Sequence, residues 1–247
     1  MTTMARQIVL AARPHGKPKL TDFRLEETAI PTPNSEQVLL GVQYLSLDPY
    51  MRGRMDDRKS YSKPLQLGDV MTGETVARVI ASNRPEYSEG DIVLAPTGWC
   101  THALSDSAGL RKLDPAFAPV TTGLGVLGMP GFTAYSGLHL IGKPRAGETV
   151  VVAAASGPVG SLVGQLAKIA GARAVGVAGG PEKCAFVKHQ LHFDAATIFQ
   201  RNSRPPVRRV SMFTSRMSAE LSGKRCCRCS TTSHACRSAG SSRSTTA

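Results

Sequence analysis

The stretch from Glu148 to Lys183, E-T-V-V-V-A-A-A-S-G-P-V-G-S-L-V-G-Q-L-A-K-I-A-G-A-R-A-V-G-V-A-G-G-P-E-K, constrains the fold of this chain more than any other. Thr149 to Ala155 is an unbroken run of small and β-branched apolar residues, as expected of a strand buried on both faces in a parallel sheet. Ser156, Gly157, Pro158, Val159 and Gly160 then read as a tight turn. Val159, Leu162, Val163, Leu166 and Ala170 recur at helical spacing, and Gly171 ends that helix. Ala174 to Ala178 is a second apolar strand. The order strand, glycine turn, helix, strand is that of the first βαβ unit of a dinucleotide-binding domain.

The turn supplies a chemical reason for that reading. Without a β-carbon at Gly157 the backbone can approach a pyrophosphate, and Gly160 lets the helix lie close to the strand. The free N–H groups at the helix start carry the positive end of the helix dipole. The expected cradle is Ala155, Gly157, Pro158, Val159 and Gly160, with Ala155 standing where the first glycine of G-x-G-x-x-G would be. A glycine turn joining strand to helix for structural reasons alone is the competing reading. An NAD site would place Asp or Glu about 20 residues past the turn, to bind the ribose 2′-hydroxyl. That region here is Ala178, Gly179 and Gly180, followed by Lys183, which favours the extra phosphate of NADP; a solvated helix would carry the same lysine.

Charge points elsewhere until it is divided along the chain. The 247 residues carry a net +12, the balance expected of a nucleic-acid binder. Residues 1–199 hold 20 Lys+Arg against 17 Asp+Glu, and residues 200–247 hold 10 against 1. Basicity therefore belongs to the tail, as do Cys226, Cys227, Cys229 and Cys236. Cys100 and Cys184 remain in the body, which suits a reducing compartment without a disulfide framework. No apolar run reaches transmembrane length and no signal segment is legible, so a cytoplasmic protein that does not bind membranes is expected.

Residues 6–125 read as β-rich. Ile8 to Leu10, Phe23 to Leu25, Val38 to Val42, Thr75 to Ile80 and Asp91 to Leu94 are short strand-like runs separated by Pro, Gly and Asn, and no helical period competes. Gly131 to Ile141 is expected to be helical. The expected architecture is α/β: a β-rich domain over 1–125, an incomplete doubly wound parallel sheet over 126–196, and a disordered basic tail over 197–247.

Four motifs, D-P-Y-M-R-G-R-M (Asp48 to Met55), M-T-G-E-T-V-A (Met71 to Ala77), G-M-P-G-F-T-A-Y (Gly128 to Tyr135) and A-A-S-G-P-V-G-S (Ala154 to Ser161), resemble the medium-chain dehydrogenase/reductase superfamily. Within it they are similar to the zinc-free branch of leukotriene B4 12-hydroxydehydrogenase/prostaglandin reductases, alkenal double-bond reductases and curcumin-reductase-like enzymes. The resemblance covers roughly residues 6–195. It implies a GroES-like substrate domain, a Rossmann domain, a homodimer, and NADPH-dependent reduction of a carbon–carbon double bond conjugated to a ketone or aldehyde. A quinone reductase of the same superfamily is the rival within the class; a nucleic-acid binder with a basic tail is the rival outside it. By similarity Tyr50 would lie at the substrate mouth, with Met129 in the substrate pocket and Thr133 beside the nicotinamide. Cys100, His102 and Glu74 lack the closely spaced partners a zinc site needs, and read as ordinary strand residues with no metal.

From about residue 197 the expected later strands give way to Arg, Ser, Thr and Cys. The spacing of Cys226, Cys227, Cys229, His234 and Cys236 is poor for a metal cluster. Codon arithmetic offers another account. When each codon begins at the last base of the one written, Met212-Phe213 yields valine, and the pairs from Ser211 to Glu220 permit D-V-Y-F-E-N-V-G-G. A frameshift near residue 196 is therefore expected, with the tail out of frame. It would leave an inactive, poorly soluble chain whose sheet ends in an open apolar edge.

Overall fold

The computed structural model describes residues 4–58, 60 and 62–198 together with the backbone of 210–213. Its first half is built on β1 (Met4–Leu10), β2 (Phe23–Ala29), β3 (Val38–Leu45), the one-turn helix α1 (Tyr50–Arg54), β4 (Thr75–Ser82), β5 (Ile92–Ala95), β6 (His102–Ser105) and β7 (Arg111–Leu113). Five of these strands form an antiparallel sheet in the order β6-β3-β4-β5-β7. The β1–β2 hairpin leans on that sheet through single bridges from Gln7 to Cys100 and from Val9 to Val70. Alternation explains the arrangement: Val38, Leu40, Ala77, Val79, Val93 and Ala95 face one another in a single core, while Arg78 and Ile80 turn out. The hairpin's outer face is held in water by ion pairs such as Arg6–Glu27 at 2.9 Å.

The second half begins with α2 (Met129–Tyr135), which continues into π-helical turns over Ser136–Gly142 and stops at Lys143 in the left-handed region. The helix expected over 131–141 thus starts two residues earlier and changes pitch midway. Next come β8 (Thr149–Ala153), α3 (Pro158–Ile169), β9 (Arg173–Ala178), α4 (Pro181–His189), β10 (Ala195–Ile198) and β11 (Val210–Phe213). Val150, Val152, Val163, Ala167 and Ala174 make the core between sheet and helices. Gly171, at φ +76°, closes α3.

Three sequence expectations change. The strand expected over 149–155 ends at Ala153, because Ala154 turns to φ +52° and begins the glycine turn. The first half contains α1, where no helix was expected. Thr197 and Ile198, expected in a disordered tail, finish β10, and Val210–Phe213 pair in parallel with β8 from Thr149 to Val152. The edge of β8 is therefore occupied, since a buried apolar strand has unpaired backbone groups that any extended apolar segment can satisfy. The remainder of the expected tail lies outside the described residues.

Candidate functional site

The parallel sheet has the order β10-β9-β8-β11. The chain runs outward from β8 to one side and returns to its other side, so strand order reverses beside β8. In open α/β sheets ligands bind outside the carboxyl ends of the strands at such a switch point. The turn from Ala154 to Gly160 stands at that end of β8.

The carbonyl of Ala154 is the hub of the turn. It accepts the N–H of Gly157 at 2.9 Å. A β-carbon on Gly160 would lie 2.5 Å from the same oxygen and 2.9 Å from the Ala155 α-carbon, so only glycine lets α3 approach this closely. Gly157 differs: a β-carbon there would meet one atom within 4 Å, the Ala154 oxygen at 3.3 Å. Its outward side is open. Gly157 caps α3 in extended backbone with no side-chain cap, and Pro158 fills the first helical position, where no N–H is needed. Ser161 N–H already donates to Gly157 at 2.9 Å. The N–H groups of Val159 and Gly160 are left as the unpaired donors of the first turn, a cradle for an anion.

The departure at Ala155 has a structural counterpart. Ala155 is fully buried, and its methyl carbon lies where a side chain on β9 would go: a β-carbon on Gly176 would come within 2.9 Å of it. The glycine absent from the turn is thus supplied across the sheet. Phe193 packs over the same gap, against Gly164 and Gly176, neither of which has room for a β-carbon.

At the end of β9 Gly179 is exposed with nothing within 4 Å of a built β-carbon, and Gly180 adopts φ +149°, a conformation essentially reserved for glycine. Lys183 is exposed on the first turn of α4. An open cleft of about 350 Å³, lined by Gly125, Val126, Pro158, Ser161, Leu162 and Gln165, joins the start of α3 to the segment that leads into α2. A depression of about 400 Å³ around Lys168, Arg173 and Asp194 lies at the opposite end of the sheet. There Asp194 accepts the Ala174 N–H at 2.8 Å and a bond from Lys168 at 3.1 Å. These bonds tie β10 to β9 and α3, so that depression is a joint of the fold.

α2, which carries Met129 and Thr133, packs against α3. Met129 is 42% exposed and so is not a core residue. Thr133 Oγ1 donates to the Met129 carbonyl at 2.7 Å, which commits its proton and leaves its oxygen as an acceptor. Tyr50, the first residue of α1, is half-buried, with Arg54 5.9 Å over its ring. Burial first, and then the Asp48 carboxylate, push its phenol up from the usual tyrosine range. Glu74 is raised too, by burial and by Asp48. Sequence reasoning missed this polar group; the signal was the pair of acids in D-P-Y and T-G-E, on either side of the β3–β4 connection. Arg111, from β7, donates to the Leu127 carbonyl at 3.0 Å and so tethers the β-rich half to the entry of α2.

Cys100 and His102 sit on the β-rich sheet with local partners. The Cys100 thiol, raised by burial, donates to the Thr97 carbonyl at 3.4 Å. His102 Nδ1 is 3.0 Å from the Thr101 hydroxyl. Among the described residues no three His, Cys, Asp or Glu side chains converge as metal ligands would, and no helix is long and apolar enough to cross a membrane.

Residues 6–113 match the family described as the N-terminal domain of oxidoreductase. The NADPH-dependent curcumin reductase of Escherichia coli (strain K12) is 56% identical over 189 residues, 76% of this chain and 55% of that protein. Prostaglandin reductase 1 of Oryctolagus cuniculus is 45% identical over 74% of this chain and 51% of its own. The crystal structure of CurA in complex with NADPH from Vibrio vulnificus is 51% identical, with a TM-score of 0.76 over 80% of this chain and 58% of that one. The chain thus spans little more than half the length of these relatives.

Proposed function

This chain belongs to the zinc-free branch of the medium-chain dehydrogenase/reductase superfamily, and from that premise we propose that it is built to bind NADPH and reduce the carbon–carbon double bond of an α,β-unsaturated ketone or aldehyde. The observation that carries the proposal is the turn from Ala154 to Gly160, whose two unpaired N–H groups and open Gly157 fit a pyrophosphate.

Ala155, Gly157, Pro158, Val159 and Gly160 would hold the pyrophosphate. Gly179 leaves room for the adenosine ribose, and Lys183 would meet its 2′-phosphate, where an NAD enzyme carries a carboxylate. The Thr133 oxygen is free to accept an amide N–H of the nicotinamide. When bound, the cofactor supplies a hydride for the β-carbon of the substrate. The protein's own part is to orient and to stabilise charge. The Tyr50 hydroxyl is suited to donate to the substrate carbonyl oxygen as it gains negative charge, and the flexible thioether of Met129 offers an adaptable apolar wall. In this reading residues 1–125 form the substrate domain and 126–196 the first part of the cofactor domain.

Thermal melting of the protein with its reading frame restored tests the assignment. NADPH at a hundred times its Kd stabilises by about 2.7 kcal/mol, and NADH should protect far less; no protection by either overturns the reading. We further propose that the reading frame slips near residue 196. The stretch D-V-Y-F-E-N-V-G-G that the shifted frame permits from Ser211 to Glu220 supports this, because it reads as a strand followed by a glycine turn. On this account the chain as written does not turn over, and the intact frame restores turnover. The nucleotide sequence around codon 196, with tail peptides sought by mass spectrometry, decides the matter.

A further inference from the structure

Tyr50 rides on a helix too short to hold its own shape. α1 has five residues, Gly53 among them, and no side chain caps its start; a single turn of this kind has little stability of its own in water. Its side chains divide by what they grip. Met51 and Met55 are buried, yet the packing of flexible thioethers adapts to many orientations and fixes none. Direction comes from Arg52. Its Nε donates to the Gly16 carbonyl and its Nη2 to the Pro14 carbonyl, each at 3.1 Å, while Nη1 donates to Asp56 Oδ1 at 2.6 Å. Arg13 answers from the loop: its Nη1 donates at 2.9 Å to the carbonyl of Met55, the residue that ends α1. The anchor of this clasp is firm. Pro14 is buried, and at the base of the loop the Ala11 and Ala12 N–H groups both donate to the Asp22 carbonyl, at 2.8 and 3.1 Å. Two arginines thus tie α1 to the loop that joins β1 to β2.

We propose that Arg52 is a positioning residue for the reaction: by gripping the Pro14 and Gly16 carbonyls it fixes the angle at which α1 presents the Tyr50 hydroxyl to the substrate carbonyl oxygen. The inference rests on the reductase reading for the role of Tyr50. Its logic is geometric. A donor stabilises a developing oxyanion only where it already points at that oxygen, and a small misplacement forfeits much of the effect. Charged hydrogen bonds to fixed carbonyls are short and directional, and a planar guanidinium meets several at once. An ammonium is a point charge and cannot set the same angle. Arg13 supports the arrangement from the opposite partner, so the clasp does not depend on one side chain.

The experiment is a double-mutant cycle on the protein with its reading frame restored, using benzylideneacetone as the enone. Tyr50→Phe, which removes the donor, should lower kcat by about a hundredfold. Arg52→Ala should lower it by about tenfold and leave the Kd for NADPH unchanged. Arg52→Lys, the variant closest to the native fold, should fall between Arg52→Ala and wild type. Because Arg52 acts through Tyr50, Arg52→Ala added to Tyr50→Phe should cost nothing further. Losses that multiply in the double variant, or a wild-type kcat in folded Arg52→Ala protein, overturn the proposal. Amide exchange over residues 50–55 should quicken in Arg52→Ala, and unchanged exchange there overturns the proposal whatever the activity. Wild-type protein that binds NADPH but reduces no enone refutes the reductase reading by itself, while exchange still decides whether the arginine orders α1.

Discussion

Gly157 and Gly160 share one turn, yet a side chain at each should fail in a different way. A β-carbon on Gly160 would press on the Ala154 oxygen at 2.5 Å and the Ala155 α-carbon at 2.9 Å. Both are backbone atoms, fixed by the Gly157–Ala154 hydrogen bond at 2.9 Å and the Ala155–Val177 bond at 3.1 Å, so α3 must shift away from β8. Overpacking of this kind costs about 1–3 kcal/mol. At roughly 2–4 °C per kcal/mol for a protein of this size, Gly160→Ala should melt about 2–12 °C lower. Gly157→Asp should not. Its backbone, at φ −83° and ψ 168°, is that of a helix cap, where Asp is favoured over Gly by about a few tenths of a kcal/mol. The single contact at 3.3 Å asks the neighbour for only a small adjustment. A carboxylate placed about 4 Å from a bound pyrophosphate, however, repels each unit charge by about 4 kcal/mol at an effective dielectric near 20. That is roughly a thousandfold in Kd. Melting curves and NADPH fluorescence titrations of the two variants separate fold from binding. Undiminished NADPH affinity in Gly157→Asp would refute the cradle, and a wild-type Tm in Gly160→Ala would refute the packing argument.

Three further outcomes are expected. Lys183→Ala should weaken NADPH binding by about tenfold or more, the worth of a hydrogen bond to a charged group, and leave NADH binding unchanged; equal losses for both nucleotides would remove Lys183 from the 2′-phosphate. Burial disfavours charge on Asp194, but the bonds from Ala174 and Lys168 outweigh it and hold the carboxyl below its usual range. The stability it contributes is therefore present above the unfolded value of about 3.9 and lost as pH falls through the lowered folded value. Asp194→Asn should lower Tm at pH 7 and flatten its fall below pH 4, as melts across that range would reveal. Gly164→Ala would drive a methyl into the Phe193 ring. It should destabilise the protein by about 1–3 kcal/mol, and Phe193→Leu should recover part of the loss in a double-mutant cycle.

The cofactor half was legible because its signals are local. A β-branched run, a glycine turn and a helical period each fix their element without help from elsewhere, and β8, α3 and β9 fall within two residues of their expected limits at either end. β6 and β7 were not legible. H-A-L-S is short and half-buried and R-K-L is shorter and mostly exposed, with no alternation to read, and they are strands because β3 and β5 offer them unpaired edges. α1 was hidden for a related reason: five residues with Gly53 among them carry no period, and burial of Met51 and Met55 on either side of that glycine holds the turn in place.

Ala155 marks the boundary between what spacing can say and what only packing can. Judged by spacing, it is a defect in a glycine fingerprint. In the fold it is complementary to Gly176, twenty-one residues away on the neighbouring strand, where the missing side chain makes room for its methyl. Close approach of turn, strand and helix is a property of the volume they share, so a glycine can leave one wall if the opposite wall recedes. Gly160 has no such freedom, because the atoms it meets belong to the backbone of its own turn. The fingerprint positions are thus unequal: the one facing another side chain can recede with it, and the one facing main chain cannot. Ala155→Gly should accordingly open a methyl-sized gap over Gly176 and cost about 1 kcal/mol, and adding Gly176→Ala should not return it, because the new methyl would still meet Val187 Cγ1 at 2.6 Å and Phe193 Cδ1 at 3.2 Å.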